Sequence, residues 1–372
     1  MLKKKLLIYS LYPLHNTGGG EYFTLNTALA AAAFNDQVDL YCPALQFPDE
    51  FLPLPPLENY QLVSVLRNSV PDVSHKILFK DFLSMLPEYE TIWLQQYLSN
   101  SGIYALLANI ASDQQLLLTS HGHEPQRDVF LQLYQPNPRH AFVEVSPFSR
   151  MRVADKIPGN AKTFTMSAGI SLNQINESKP VPGLNKAEGP RLCAVGRGLP
   201  HKGFETIIRA MPDEARLTII GPVDPDSPYQ KFLNELAQGK PVTFTGRLPE
   251  NEKLAIMADS DLLIAASTHK LYDGRTIEQA ELLGLVILEG IINNLLPIVS
   301  DIPPFRWIME ETGLGEYVFP EGDNASLRKK IEKATHLTIQ EKTTLLRFAK
   351  KVVADNFSWE TYWPRVCHEV DV

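Results

Sequence analysis

The chain has 372 residues, of which 44% are hydrophobic and 21% charged, a composition typical of ordered globular proteins and a length sufficient for two domains. The net charge of -8 argues against nucleic acid as the main partner, because phosphate backbones require a concentrated basic surface. Three cysteines are too few for a disulfide framework and no apolar run reaches the roughly 20 residues of a transmembrane helix, which favours a cytoplasmic location and leaves peripheral contact with the inner face of a membrane open.

The first half of the chain alternates between strand-like and helix-like segments. It opens with MLKKKLLIYSL, which has the basic start of a signal peptide but contains tyrosines and lacks a cleavage site, so it predicts a buried first strand. Further strand-like runs follow at QVDLYCP, TIWLQQ, QLLLTSH and AFVEVSP. Strands that alternate with helices are typical of a parallel sheet covered on both faces.

A polar segment rich in proline and glycine, QINESKPVPGLNKAEGP, predicts a linker over residues 174–190. The alternation restarts after it with RLCAVGR, RLTIIG, PVTFTGR, DLLIAAS, LPIVSD and YVFP, and the chain ends in helices, the last beginning near FSWETYW. We therefore predict an α/β fold with two tandem Rossmann-like, doubly wound domains facing a cleft, over 1–173 and 191–356, with a last helix over 357–372. Ligands of such sheets bind outside the carboxyl ends of the strands.

The first strand is followed by a glycine-rich loop, HNTGGGEYF. Gly19 and Gly20 let the backbone pass close to a ligand and aim helix N-terminal amides at an anion. A dinucleotide fingerprint requires glycine or alanine three positions after Gly20, where this chain has Phe23, so a nicotinamide-dependent dehydrogenase is disfavoured although Asp39 resembles its ribose-binding acid. The alternative is a tight turn that binds nothing.

A second loop, TSHGHEPQ, places His121 and His123 directly after an apolar strand. A histidine at the carboxyl end of a strand is well placed to donate or accept a hydrogen bond in a cleft. A metal site would require further ligands at a recognisable spacing, which the sequence does not offer, so no metal is expected. A histidine that only caps the next helix is the structural alternative, and either histidine is a candidate for the functional one.

A third loop, AVGRGLPHKGFETIIRA, carries Arg197 and Lys202 between a strand and a helix that starts near Gly203. Both cations can reach one point near the helix N-terminus, and this arrangement suits a diphosphate, because guanidinium binds phosphate oxygens bidentately and lysine adds a point charge. Two solvated surface cations are the alternative. In the next strand-end loop, FTGRLPENEK, Gly246, Arg247 and Leu248 offer backbone groups and an apolar contact to a planar ring.

The nonapeptide ELLGLVILE has a glutamate at each end of an apolar run. Glu281 is expected before a helix whose first amides come from Gly284, Leu285 and Val286, and Glu289 is expected inside that helix. If a nucleotide diphosphate binds here, the amides meet its phosphates, Glu289 accepts from ribose hydroxyls and Glu281 from those of a sugar. The acid and nucleophile of a glycosidase are the competing interpretation, which fits the adjacent cations poorly.

Together these motifs resemble retaining glycosyltransferases of the GT-B fold, in particular the family-4 group that acts on nucleotide sugars. The resemblance is strongest over residues 190–325, where the chain has VGR...P.KG, TGRLPENEKLAIMADSDLLI, PIVSD and the two glutamates separated by seven residues. SPFSRMRV and FSWETYW resemble a serine-rich segment of the first domain and a C-terminal helix that crosses back to it. The resemblance assigns acceptor binding to the first domain and nucleotide-sugar binding to the second.

The activity implied is transfer from a nucleotide sugar, with UDP favoured as the nucleotide, to a carbohydrate or lipid-linked glycan acceptor. The configuration of the transferred sugar's anomeric carbon would be retained, and no metal or other cofactor is expected. Preorganised cations and amides would stabilise the charge on the leaving diphosphate. The resemblance assigns the following roles: Gly19 and Gly20 approach the phosphates, Arg197 and Lys202 bind the diphosphate, Glu289 binds the ribose, Glu281 binds the donor sugar, and His121 serves the sugar or the reacting centre.

Some segments depart from the family pattern. The long loop STHKLYDGRTIEQA precedes Glu281 and contains a further acid, Glu278, which leaves open which carboxylate touches the sugar. The acidic pair of the DPD sequence at 224–226 resembles a metal site of a different transferase fold, and its proline-flanked position favours coincidence. Two alternatives to a transferase stay open, namely a nucleotide-sugar epimerase of the same fold and a non-catalytic protein that binds nucleotide sugars.

Overall fold

The computed structural model describes residues 5–12, 19–35, 37–43, 60–65, 72–122, 125–135, 137–157, 161–176 and 189–370. The chain divides into two compact units, the first formed by Met1–Ala168 with Trp359–Val372 and the second by Gly169–Ser358. The division precedes the predicted linker, most of which lies outside the described residues. Within the described ranges, none of the helices combines the length and the apolar character that crossing a bilayer requires.

The first unit contains an eight-stranded sheet. Its strands are β1 (Lys5–Ser10), β2 (Gln37–Pro43), β3 (Tyr60–Val65), β4 (Asp72–Ile77), β5 (Thr91–Gln95), β6 (Gln115–Thr119), β7 (His140–Glu144) and β8 (Lys162–Thr165). Its α-helices are α1 (Gly19–Ala32), α2 (Phe79–Met85), α3 (Ser101–Ala108), α4 (Pro125–Leu133), α5 (Pro147–Ala154) and, from the end of the chain, α14 (Trp359–Val370). The strand order is β4-β3-β2-β1-β5-β6-β7-β8.

Two strands at one edge of this sheet differ from the expected parallel arrangement. β3 pairs antiparallel with β2, and β4 pairs antiparallel with β3. Only residues 66–71 connect β3 to β4, and a connection this short cannot contain the crossover helix that parallel neighbours require. Neither strand was predicted from the sequence: YQLVSV leads into another strand and not into a helix, and DVSHKI is a polar, weakly strand-like run.

The second unit contains a wholly parallel six-stranded sheet. Its strands are β9 (Arg191–Val195), β10 (Arg216–Ile220), β11 (Val242–Phe244), β12 (Leu262–Ala265), β13 (Leu296–Ser300) and β14 (Val318–Phe319), in the order β11-β10-β9-β12-β13-β14. Its α-helices are α6 (Leu172–Asn176), α7 (Phe204–Ala210), α8 (Pro228–Leu236), α9 (Glu250–Asp259), α10 (Leu285–Ile292), α11 (Pro303–Glu311), α12 (Asn324–Thr335) and α13 (Ile339–Phe357). The predicted fold class, two α/β units with mostly parallel sheets, is confirmed.

Parallel pairing brings the carboxyl ends of neighbouring strands to one edge in each unit. In the first sheet Gln95 pairs with Ser10 on one side and with Thr119 on the other. In the second sheet Val195 pairs with Ile220. The loops that leave these strand ends therefore lie side by side, where doubly wound sheets bind their ligands.

The last helix, α14, belongs to the first unit, where it packs against α1. The ring centroid of Phe23 lies 4.9 Å from that of Trp359 and 5.5 Å from that of Tyr362, both in edge-to-face geometry. Arg365 adds a polar contact, because its Nη2 donates to the carbonyl oxygen of Ser167 over 2.8 Å. The aromatic residues of WETYW thus pack the last helix against the first unit.

Candidate functional site

Glu281 and Lys202 form an ion pair at the carboxyl end of the second sheet. Lys202 ends a short 3-10 helix, Pro200–Lys202, after β9, and Glu281 lies between β12 and α10. Ser267, just after β12, donates a hydrogen bond to the same Glu281 oxygen over 2.9 Å. Burial raises the pKa of Glu281, but the Lys202 charge and the hydrogen bonds together hold it below its ordinary value. The carboxylate is therefore ionised at neutral pH.

Helix α10 begins at Leu285, directly after Gly284. Gly284 has a φ of 108°, and a Cβ added there would lie 2.7 Å from the ring of Phe305, so no other residue fits without strain. Gly284, at the N-cap position, offers no side chain that could cap this end of the helix. The first N–H groups of a helix, here those of Leu285 and Val286, have no intrahelical acceptor, and the helix dipole adds a partial positive charge. The loop that contains Glu281 thus leads into the N-terminus of α10, where the free N–H groups and the helix dipole favour an anion.

Glu289 lies in the second turn of α10, as the sequence predicts, and pairs with a lysine that the sequence analysis missed. Lys253 of α9 is 3.2 Å from Glu289 Oε2 and 2.8 Å from Glu250 Oε1. Burial raises the pKa of Glu289, which the charge of Lys253 only partly offsets. Burial lowers the pKa of Lys253, but its two carboxylate partners raise it above the ordinary value. Lys253 therefore stays charged and holds one oxygen of Glu289.

Three strand-end loops of the second unit are joined by backbone hydrogen bonds. The N–H of Gly196 donates to the carbonyl of Ile220 over 2.9 Å, and the N–H of Gly221 donates to the carbonyl of Gly246 over 3.0 Å. After Gly246, Arg247 is exposed and Leu248 packs against the core. Gly246 and Arg247 therefore lie at these joined loops, whereas Leu248 packs partly against the core, and its contact with a planar ring stays a prediction.

Arg197 and Lys202 differ in their surroundings. Arg197 is exposed, and within the described part of the chain no carboxylate forms an ion pair with it, whereas Lys202 is occupied by Glu281. Both act on His201, whose pKa is lowered to about 4 by burial and by the two cations against an opposing effect of Glu281. A small cavity of the second unit is lined by charged, hydroxyl and apolar side chains: Lys202, Phe204, Ser267, Glu281, Val286 and Phe305.

His121 lies in the first unit, two residues after the end of β6. Its backbone N–H donates to Gln96 Oε1 over 2.6 Å, and its ring Nε2 lies 2.6 Å from Gln95 Oε1. Burial lowers the pKa of His121 to about 4, so the ring is neutral near pH 7. His123 lies outside the described residues. The structure therefore gives surroundings for only one of the two candidate histidines.

Gly19 and Gly20 form the first turn of α1 rather than the preceding loop, and the third glycine of the run lies outside the described residues. A Cβ added to Gly20 would lie 3.0 Å from the Cβ of His121. Gly20 thus allows α1 to approach His121 closely. This is a packing reason for a small residue, separate from its predicted role toward phosphates.

The DPD sequence at 224–226 forms a turn. The N–H of Asp226 donates to Asp224 Oδ1 over 3.0 Å, and Ser227, whose hydroxyl donates to the carbonyl of Asp224, caps α8. In the described residues no three His, Cys, Asp or Glu side chains are grouped so that they could hold a metal ion. The carboxylate of Asp224 thus has a local structural role.

The family match lies within the second unit. Residues 176–351 match the family model described as Glycosyl transferases group 1. Over 191 residues the chain is 27% identical to the sulfoquinovosyl transferase SQD2 of Arabidopsis thaliana, which covers 49% of this chain and 33% of that protein. The chain thus spans about a third of the length of this curated relative.

Two solved structures are similar over almost the whole chain. HepE of Anabaena, solved in complex with UDP and glucose, aligns with a TM-score of 0.67 at 14% identity and 98% coverage of both chains. WaaG, a glycosyltransferase involved in lipopolysaccharide biosynthesis, aligns with a TM-score of 0.63 at 14% identity, covering 97% of this chain and 98% of that one. At these identities the likeness shows the fold, which is the GT-B fold.

Proposed function

We propose that this chain, whose second unit carries the sequence pattern of group 1 glycosyl transferases, transfers a sugar from a nucleoside diphosphate sugar to a carbohydrate or lipid-linked glycan acceptor. The observation that carries the proposal is the Lys202–Glu281 pair beside the start of α10, within the matched segment. We further propose that UDP is the nucleotide, because a protein of the same fold was solved with UDP and glucose.

The chemistry of the site supports this reaction. When the bond between the anomeric carbon and the diphosphate breaks, the electron pair stays on the diphosphate oxygen. Arg197, Lys202 and the first amides of α10 offer positive charge to that oxygen without any rearrangement of solvent. With these groups present, the proposed reaction does not depend on a metal ion. Glu281, kept ionised, can accept hydrogen bonds from hydroxyls of the donor sugar.

Retention of configuration and the acceptor class are parts of the proposal that depend on the family pattern. Retention requires the acceptor oxygen to end on the face of the anomeric carbon from which the diphosphate departed. An acceptor built of glycan or lipid-linked glycan is supported by the likeness to WaaG, which acts in lipopolysaccharide biosynthesis. Product analysis by NMR with an enriched UDP-sugar donor would read both the configuration and the linkage.

The first test is a binding panel of nucleotides and nucleotide sugars followed by thermal shift. A ligand at about 100 times its Kd stabilises the folded protein by about 2.7 kcal/mol. We expect UDP species to raise Tm for the wild type and not for the variant Arg197→Ala/Lys202→Ala, each compared with its own ligand-free Tm. The matched control is Arg328→Ala/Lys351→Ala, which removes two exposed, ion-paired cations of the same unit and should respond as the wild type does.

Product formation separates the transferase from its alternatives. Transfer to an acceptor with release of UDP supports the proposal. A changed nucleotide sugar without any acceptor would identify an epimerase instead. Binding without turnover over a broad acceptor panel would contradict the transferase activity and indicate a non-catalytic binding protein. Equal stabilisation of the wild type and the double variant by UDP would contradict the proposed site.

A further inference from the structure

Two consecutive glutamines at the end of β5 contact His121. Gln95 is the last residue of β5 and pairs in register with Thr119, the last residue of β6, so the following residues meet at the same sheet edge. Gln95 Oε1 lies 2.6 Å from His121 Nε2, and Gln96 Oε1 accepts from the His121 backbone N–H over 2.6 Å. The ring and the backbone of one histidine are thus held by two separate amides.

The backbone of Gln96 indicates that this arrangement is imposed on the chain. Its φ is 82°, which is uncommon for a residue other than glycine. Its own N–H donates to the carbonyl of Thr119 over 2.8 Å, which fixes the unusual turn against β6. Backbone strain of this kind is concentrated at functional sites. The strained residue here is one that holds His121.

A buried arginine holds the residues on either side of His121. Arg127 of α4 is fully buried, and its Nη1 donates to Ser120 Oγ over 2.9 Å and to the carbonyl of Gly122 over 3.1 Å. Phe23 of α1 also contacts the histidine, with its ring centroid 5.1 Å from that of His121. The loop therefore has fixed contacts before, at and after the histidine.

The contact with Gln95 determines which ring nitrogen carries the proton. With Gln95 Oε1 toward the ring, Nε2 is the donor, because an amide oxygen only accepts, and Nδ1 is then the unprotonated nitrogen of the neutral ring. Burial keeps the ring neutral near pH 7, so the tautomer is defined. The other end of the amide, Gln95 Nε2, is buried and has no acceptor in the described residues, which leaves the histidine contact as the one that orients it.

We propose that Gln95 is a positioning residue that holds His121 as the Nε2–H tautomer, so that Nδ1 accepts a hydrogen bond from a sugar hydroxyl. The role toward a sugar rests on the proposed function, whereas the tautomer and its dependence on Gln95 do not. His121 then acts as an acceptor of hydrogen bonds and not as a proton donor.

The tautomer can be read directly in the ligand-free full chain by NMR of ¹⁵N-labelled histidine side chains, with the His121 signals identified by their loss in His121→Gln. We expect a protonated Nε2 and no titration above about pH 5, consistent with a pKa of about 4. Gln95→Met should release the ring into a mixture of tautomers. Gln95→Glu should keep the Nε2–H form and raise the pKa of His121 by more than one unit, because a carboxylate favours imidazolium.

The matched control is Gln114→Met in the same unit. Gln114 is also buried, and its Nε2 donates to the carbonyl of Leu86 over 2.7 Å, away from His121. This variant should lower Tm and leave the His121 signals unchanged. A wild type with the proton on Nδ1, or His121 signals that are the same in Gln95→Met as in the wild type, would overturn the positioning role.

Turnover tests the part that concerns the sugar. We expect Gln95→Met to lower kcat roughly 10-fold, with the Kd of UDP unchanged because the proposed nucleotide site lies in the second unit. Gln95→Glu should give a kcat that falls as pH drops through the raised pKa of His121, since imidazolium cannot accept. A kcat unaffected by both variants would overturn the sugar contact. If the wild type transfers no sugar while the tautomer signal is as expected, the proposed function fails and the positioning role stands.

Discussion

At the carboxyl end of the first sheet the candidate side chain, His121, is neutral and held by amides, whereas at the corresponding end of the second sheet Glu281 and Glu289 are each paired with a lysine. Burial acts on all three groups but with different results. The pKa of His121 falls to about 4 and that of Glu289 rises, whereas that of Glu281 is lowered because Lys202, His201 and the hydrogen bonds together outweigh burial. The second sheet thus has paired charges at its strand ends, and the first has a neutral ring held by amides.

The largest effect expected from this comparison is that of Lys202→Met. Removal of the lysine takes away one preorganised cation and leaves Glu281 half-buried without its counter-charge, so the anion site becomes repulsive. We expect kcat to fall roughly 10²- to 10³-fold. Steady-state transfer assays measure it, and Lys333→Met, which removes an exposed lysine paired with Glu316 in the same unit, serves as the control. A loss of only a few-fold would show that Lys202 does not face the developing charge.

Glu144 in the first unit contrasts with Glu281, because its pKa is raised and not lowered. This carboxyl is fully buried, accepts from the hydroxyl of Tyr97, and has its pKa raised from 4.5 to about 7 by burial despite the nearby charge of Arg127. The native state therefore binds this proton more tightly than the unfolded state, and stability is lost as pH rises from about 4.5 through 7. Glu144→Gln mimics the neutral carboxyl. Compared with the wild type at the same pH, the variant should be more stable at pH 8 than it is at pH 4.

The expected gain is on the order of 3 kcal/mol, because the pKa rises from 4.5 to about 7 and each tenfold change in proton affinity is equivalent to about 1.4 kcal/mol. Urea unfolding at the two pH values measures it. The control is Glu316→Gln in the second unit: the hydrogen bond from Lys333 lowers the pKa of Glu316, so this variant should lose stability at pH 8. An effect of Glu144→Gln that is equal at both pH values would mean that folding does not raise the pKa of this carboxyl.

The comparison also separates what the sequence could predict from what it could not. The placement of Glu281 before α10 and Glu289 within it followed from one glycine in an apolar run, which is local information. Lys253 and Ser267 were missed because they reach these glutamates through the packing of other elements, across 36 and 14 positions of the chain. Gln95 carried a usable signal, since a polar residue that ends a strand in a parallel sheet lies beside the next strand's end.

A smaller effect is expected where Lys253 holds Glu289. Lys253→Met leaves that carboxylate buried without its cation, which raises its pKa further and weakens its ability to accept from ribose hydroxyls. We expect the Kd of UDP to rise roughly 10-fold, equivalent to about 1.4 kcal/mol. Calorimetry with UDP measures the loss of affinity. The same measurement with 2′-deoxy-UDP shows whether the ribose 2′-hydroxyl is responsible for it.

The wild type should prefer UDP over the deoxy analogue, and Lys253→Met and Glu289→Gln should each reduce this preference. Lys351→Met, which removes an exposed lysine paired with Asp355, should keep it. If the variants weaken both ligands equally, Glu289 does not contact the 2′-hydroxyl and its assignment to the ribose loses its support.

The smallest effect on activity is expected at Gly20 of α1, for which Gly284 before α10 provides the comparison. The two positions differ in how well they tolerate an added methyl group. Ala at position 20 would place its Cβ 3.0 Å from the Cβ of His121 within the first turn of a helix, so the loop must shift by a few tenths of an ångström. Ala at position 284 would meet the Phe305 ring at 2.7 Å with a φ of 108°. We expect Gly20→Ala to lower kcat roughly two- to five-fold at a loss of about 1 kcal/mol or less in stability, and Gly284→Ala to lose roughly 2 kcal/mol or more. Unfolding and kcat measured on both variants test these expectations. If Gly20→Ala lowers kcat but leaves the His121 NMR signal unchanged, the glycine acts at the substrate and not through the histidine.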